Sequence, residues 1–184
     1  ITFFLILDAV NTNANYNLYH HELEIQHYND GYYDTLSYLQ NMNGVFTRIE
    51  IPGLKAIKDN PAMDNVAINK ARIKLPYVTD GSVYLNSTIP SQIYARYMTS
   101  TGNKFLIPDY LEVSPSFYDG GPDTTAGVYD INLATFIQKY LDDTADTILP
   151  KIEIFLTPLS SSNLILKANS SHFQPKFELT YTKF

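Results

Sequence analysis

The chain has 184 residues, 45% hydrophobic and 17% charged, which fits one domain with apolar mass for a single core and does not fit a disordered composition. The formal net charge of -6, without a dense Lys/Arg run, speaks against nucleic acid and anionic lipid as partners, because both need a basic field. Cysteine is absent, which excludes disulfides, thiolate metal sites and a Cys nucleophile.

Residues 1 to 10, ITFFLILDAV, form an apolar run that fits a strand buried on both faces. The run has no charged n-region and no small-residue cleavage site, so it is not a signal peptide, and it falls short of the ~20 residues a spanning helix needs. A chain that opens inside a strand is expected to be the C-terminal part of a longer protein. Residues 18 to 28 alternate, with His21, Leu23, Ile25 and His27 on one face. Asn29-Asp30-Gly31 and Asn41-Met42-Asn43-Gly44 are turn clusters around YYDTLSYLQ. VFTRIEIP puts Val45, Thr47, Ile49 and Ile51 on one face. Residues 53 to 65 have weak helical spacing that Asn60 and Pro61 cut short, giving a short helix or a loop.

VAINKARIKLP, residues 66 to 76, changes parity in mid-strand. Val66 and Ile68 share one parity, and Ala71, Ile73 and Leu75 the other. A β-bulge at Asn69-Lys70 would turn all five to one side. Lys70, Arg72 and Lys74 then form a solvent-facing basic row, expected to blunt an exposed edge rather than bind a ligand. GSVYLN, IYARYMT and KFLIPDYLEV follow as strands between turns. Residues 114 to 127 are rich in Pro, Gly, Asp and Thr and are expected to be an exposed loop.

Leu133, Phe136, Ile137, Tyr140 and Leu141 recur at the spacing of one helix face, which predicts an amphipathic helix over 132–142 with Asn132 as its N-cap. Asp142, Asp143 and Asp146 crowd its C-terminus, where the dipole opposes negative charge, so either the end frays or a cation stands nearby. KIEIFLTP, NLILKA and KFELTYTKF close the chain as strands. About ten short strands and one helix predict a single antiparallel β-sandwich over 1–184, of jelly-roll type, with the helix capping an open end.

No nucleophile motif is present: G-x-S-x-G, S-x-x-K and Gly-rich phosphate loops are all missing. His20, His21, His27 and His172 lack zinc spacing, since His21 and His27 would stand about 20 Å apart on a strand. Asp109, Asp119, Asp123 and Asp130 could offer oxygens to Ca²⁺, but without the D-x-D-x-D-G pattern a solvated loop is the simpler reading. No metal and no cofactor is expected. A glycosidase-like carboxylate pair is a spatial feature that sequence cannot reveal.

With 15 Tyr, 10 Phe and no Trp, most rings are expected to cover the sheets. Tyr94, Tyr97, Tyr110, Phe117 and Tyr118 are the candidates for an aromatic ligand platform.

Five stretches in order carry a resemblance. They are Gln40 to Gly44 (Q-x-M-x-G), Ile49 to Leu54 (I-x-I-P-x-L), Ile68 to Ile73 (I-N-K-A), Ile131 to Gln138 (a helix motif) and Pro175 to Lys183 (P-K-x-E-L-T-Y-T-K). Spanning residues 38 to 184, they resemble a family of Bacteroidota cell-envelope lipoproteins classed as a domain of unknown function. The resemblance implies a β-sandwich on a longer chain held at the outer membrane by a lipid anchor outside this stretch. It implies a non-catalytic cell-surface module acting through other envelope proteins, and it carries no catalytic residues. The ending is also similar to jelly-roll modules of bacterial polysaccharide enzymes and adhesins, which implies carbohydrate binding through surface tyrosines as the alternative.

Overall fold

The computed structural model describes residues 2–4, 6–11, 36–41, 45–61, 65–79, 89–157, 162–168 and 175–184. The four histidines, the expected strands over 18–28 and 81–86, and Tyr32 and Tyr33 lie outside these residues. The fold is mainly β, in antiparallel sheets. Sheet A runs β1 (Thr2–Phe4), β12 (Lys176–Lys183), β5 (Val66–Pro76), β9 (Val128–Asn132) and β8 (Asp119–Asp123). Sheet B runs β2 (Ile6–Asn11), β4 (Val45–Glu50), β10 (Ile148–Phe155), β6 (Tyr94–Thr99) and β7 (Lys104–Leu106). A third, two-stranded sheet pairs β11 (Asn163–Lys167) with β3 (Leu36–Gln40). It continues the end of β5 through a bridge between Tyr77 and Leu166.

Alternation sets the inner faces. Ile49 of β4, Ile73 and Leu75 of β5, Ile131 of β9, Ile152 and Ile154 of β10 and Phe177 of β12 have no exposure and belong to one core. Each such side chain contributes about 1.5–3 kcal/mol by leaving water, so the two sheets form an antiparallel sandwich around that core. Inside it, the hydroxyls of Ser37 and Thr47 satisfy each other at 2.8 Å, as buried polar groups must.

The parity change in β5 is a bulge. Thr180 of β12 stands opposite Lys70 and Tyr181 opposite Ile68, leaving Asn69 unpaired in the ladder. Val66, Ala71, Ile73 and Leu75 are buried, and Ile68 packs against the core. The basic row has a different role from the one expected. β5 is the middle strand of sheet A, so Lys70, Arg72 and Lys74 guard no edge. They meet carboxylates on neighbouring strands: Lys70 and Lys74 reach Glu178 at 2.8 and 3.7 Å, and Arg72 reaches Asp130 at 3.0 Å and Asp119 at 3.6 Å.

Two expectations in the middle of the chain are corrected. KFLIPDYLEV is a strand only over β7. After Pro108 the backbone turns into a π-helical turn, Asp109–Val113, because proline removes the amide a further ladder would need. Residues 114 to 127 are not simply a loop. They hold a short helix, α2 (Pro115–Tyr118), capped by Ser114, and the strand β8. β8 is one of the two edge strands of sheet A, where Pro122 is tolerated. Gly120 there has φ +72, and a Cβ would stand 2.5 Å from the Tyr118 ring, so glycine is required on both counts.

The earlier helix is α1 (Pro52–Lys58) and the amphipathic one is α3 (Ala134–Leu141). Asn132 ends β9 rather than capping α3 directly, although its Oδ1 accepts from the Ala134 amide at 3.2 Å. Phe136, Ile137 and Tyr140 are buried. The crowded carboxylates beyond α3 do meet a cation. Lys58 of α1 donates to Asp146 Oδ1 at 2.6 Å and to the Asp143 carbonyl at 2.5 Å, and its ammonium lies 4.8 Å from the Tyr140 ring centre.

Candidate functional site

The outer face of sheet B holds the most unusual chemistry among the described residues. On β10, Ile152 and Ile154 point inward, so Glu153 between them points out, yet it has no exposure. The register places Arg48 of β4 and Arg96 of β6 directly beside it, in one row across three strands. Arg48 donates to Glu153 Oε1 at 3.0 Å and Arg96 to Oε2 at 2.8 Å. Lys104 comes from β7, two strands away, and reaches Oε2 at 2.9 Å.

Aromatic rings cover this cluster. The Arg96 guanidinium lies 5.3 Å from the Phe46 ring centre and 5.0 Å from that of Phe155, and Lys104 lies 4.9 Å from Phe46. β4 and β7 are three strand spacings apart, about 14 Å, so the lysine stem lies across the face to reach the ring. Burial by itself raises the Glu153 pKa. Hydrogen bonds from Lys104, Arg48 and Arg96 outweigh it and hold the carboxyl below the ordinary glutamate value. A buried carboxylate costs several kcal/mol to desolvate, and this geometry offsets that with three cations. The cations keep 22%, 28% and 33% of their side-chain exposure for Arg48, Arg96 and Lys104, so they remain open to a ligand. Arg48 Nε is buried without a hydrogen-bond partner.

The tyrosine candidates divide into two groups. Tyr94, Tyr110 and Tyr118 form a chain of edge-on rings, with centroids 5.6 and 5.5 Å apart, and Tyr94 also meets Phe155 at 6.0 Å. This chain continues the cationic face through Phe155. Tyr118, however, is fully buried, and its hydroxyl donates to the Ile93 carbonyl at 3.2 Å. Burial drives its pKa well above the ordinary value. Tyr97 is also a core residue, packed between Phe105 and Phe136 at 5.6 and 5.5 Å. Neither offers a ring face to a ligand, and both leave the platform. Tyr94 and Tyr110 are half-buried, and Phe117 is exposed on α2.

The four aspartates considered for Ca²⁺ do not converge. Asp109 is fully buried and accepts from the Thr135 and Phe136 amides at 2.8 and 2.9 Å, capping α3 from a turn 26 residues earlier in the chain. Burial raises its pKa, with the amide donors opposing. Asp123 accepts from the Thr125 and Ala126 amides in the turn after β8. Asp119 and Asp130 are brought together, but around Arg72; the Arg72 Nε–Asp130 contact is an ion pair without hydrogen-bond alignment. Burial raises the Asp130 pKa, with Arg72 and Lys74 opposing. Among the described residues no group of three or more His, Asp or Glu is placed to hold a metal.

Glu153, Arg48, Arg96 and Lys104 were not singled out from the sequence. The available signal was a charged residue with an aromatic one two positions away in VFTRIE, YARYMT and KIEIF, while Lys104 in KFL carried none. No protein-family model, no curated protein and no solved structure matches the chain.

Proposed function

We propose that the chain is a non-catalytic interaction module of an outer-membrane lipoprotein, acting at the cell surface as a component of an envelope protein complex. The observation that carries this reading is the outer face of sheet B, where three cations and flanking rings stand in fixed positions outside the core. Fixed, part-exposed Arg and aromatic groups are what interface centres are made of. The family resemblance supports the lipid anchor and the location. Strand order supports the jelly-roll reading: β2, β5, β6, β8, β10 and β12 each lie in the other large sheet from the strand of either large sheet that precedes them in the chain, so the chain passes repeatedly between sheets A and B. Gentle extraction of the full-length lipoprotein followed by mass photometry tests the proposal. A defined complex is expected, and free monomer alone would count against it.

A carbohydrate-binding reading rests on the half-buried Tyr94–Tyr110 pair and on the exposed ring of Phe117 on α2. A glycan array with Tyr94→Ala and Phe117→Ala variants tests it. Binding lost in both variants is its expected result, and a flat array removes it.

A further inference from the structure

We propose that the outer face of sheet B docks an acidic segment of a partner polypeptide, whose carboxylates seat over Arg48, Arg96 and Lys104. The inference deepens the interaction-module reading and rests on it. Among the described residues three cations surround one carboxylate, so there the cluster has cations in excess. Elsewhere on this face Lys151 and Glu50 neutralise each other at 2.6 Å. The chain as a whole carries a formal net charge of -6, so this excess opposes the general charge and marks one place for an anion.

Among the described residues the donors are available and preorganised. A guanidinium has five N–H donors in a rigid fork. Glu153 takes one hydrogen bond each from Arg48 and Arg96. The cations are already fixed by Glu153 and by the Phe46 and Phe155 rings, so a ligand carboxylate bears little of the entropy of ordering them.

A polypeptide fits better than an acidic glycan. A sugar needs a free ring face, and here the nearby rings are occupied. Arg96 lies over Phe155, and Tyr110 meets Tyr94 at 71°. What remains accessible is charge and ring edge, which suits Asp and Glu side chains on a flexible segment.

The test is binding of labelled poly-L-glutamate to the full chain by fluorescence anisotropy, with poly-L-lysine and polygalacturonate as comparators. Poly-L-glutamate is expected to bind at low ionic strength and to weaken with salt. Lys104→Glu is expected to weaken it about tenfold, and Glu153→Gln to tighten it severalfold by removing the competing carboxylate. Lys139→Glu, on α3, leaves it unchanged. If Glu153→Gln does not fold, Lys104→Ala carries the test, because both arginines remain on Glu153, and a severalfold loss is expected. Three results overturn the proposal: no binding of poly-L-glutamate, equal weakening by Lys104→Glu and Lys139→Glu, or binding of polygalacturonate alone. A membrane complex that persists despite any of them leaves the interaction-module reading standing. Free monomer in membranes with poly-L-glutamate bound sinks that reading instead.

Discussion

Asp109 and Glu153 are both carboxylates without exposure, and their surroundings drive them in opposite directions. Asp109 has the Thr135 and Phe136 amides and the Thr135 side chain, and no cation, to set against burial, and its pKa rises above 3.8; Glu153 has three cations, and its pKa falls below 4.5. The consequences for stability have opposite signs. The Asp109 contribution is fully present below its unfolded value and is lost as pH rises through the folded one. The Glu153 contribution is present above its unfolded value and is lost as pH falls through the folded one. Asp109→Asn keeps one cap acceptor and loses the other, costing about 0.5–2 kcal/mol. It also removes the decline between the two Asp109 values, so its deficit against wild type should shrink as pH rises above the ordinary aspartate value. Glu153→Gln leaves three cations without their counter-charge, at about 1–3 kcal/mol after allowance for their exposure. Its deficit should shrink in the other direction, as pH falls below the ordinary glutamate range. Urea unfolding of both variants across pH reads the two slopes. Parallel pH profiles for the two would contradict the assigned environments.

At the scale of elements, the bulge in β5 shows what alternation reveals and what it leaves out. The parity change at Asn69 was legible, because two apolar sets of opposite parity can share a core only across an extra residue. The position of β5 in the sheet was not legible, because alternation reports which face is buried and says nothing of lateral neighbours. The basic row was therefore assigned to an edge when it stands in the middle of sheet A, paired with Glu178, Asp130 and Asp119. For the same reason β8 was missed: its residues, DGGPD, have no strand pattern of their own and pair only because β9 supplies the ladder. The bulge makes a direct prediction. Deleting Asn69 brings Val66, Ile68, Ala71, Ile73 and Leu75 onto one parity, so the strand can pair regularly. Apart from the Asn69–Thr182 hydrogen bond, little is lost, and the variant should fold with a change of about 1 kcal/mol. Deleting Arg72 instead puts Ile73 and Leu75 out of phase with Ala71 and expels both from the core. That should cost more than the fold can bear, at about 2–5 kcal/mol for each large side chain lost from the interior. Circular dichroism and urea melts of the two deletions decide it. Equal destabilisation would mean that the bulge is needed for more than parity.

For the whole molecule, the sequence indicated a single antiparallel sandwich with an amphipathic helix because buried faces repeat with period two and 3.6 along the chain. The candidate site was far less legible, because Arg48, Arg96, Lys104 and Glu153 lie on four strands and meet only through strand order. Tyr97 and Tyr118 looked equal to Tyr94 in the sequence, yet strand parity puts Tyr97 in the core and the short helix α2 puts Tyr118 there. Strand order also shows how the sandwich is finished on one side. β1 and β2 are consecutive, but β1 is the outer strand of sheet A on β12, while β2 is the outer strand of sheet B on β4. One segment thus covers an edge of each sheet. Without residues 1–11, β12 and β4 would both present unpaired amides and carbonyls, and exposed edges recruit strands from other chains. The truncated protein should self-associate in light scattering coupled to size exclusion, where the full chain runs as a smaller species under the same conditions. The fixed register of both strands makes the pairing specific, so a synthetic peptide of residues 1–11 should dissolve the association, while a scrambled peptide should not. A truncated chain that runs like the full one, with an unchanged urea midpoint, would mean that this segment contributes nothing to either edge.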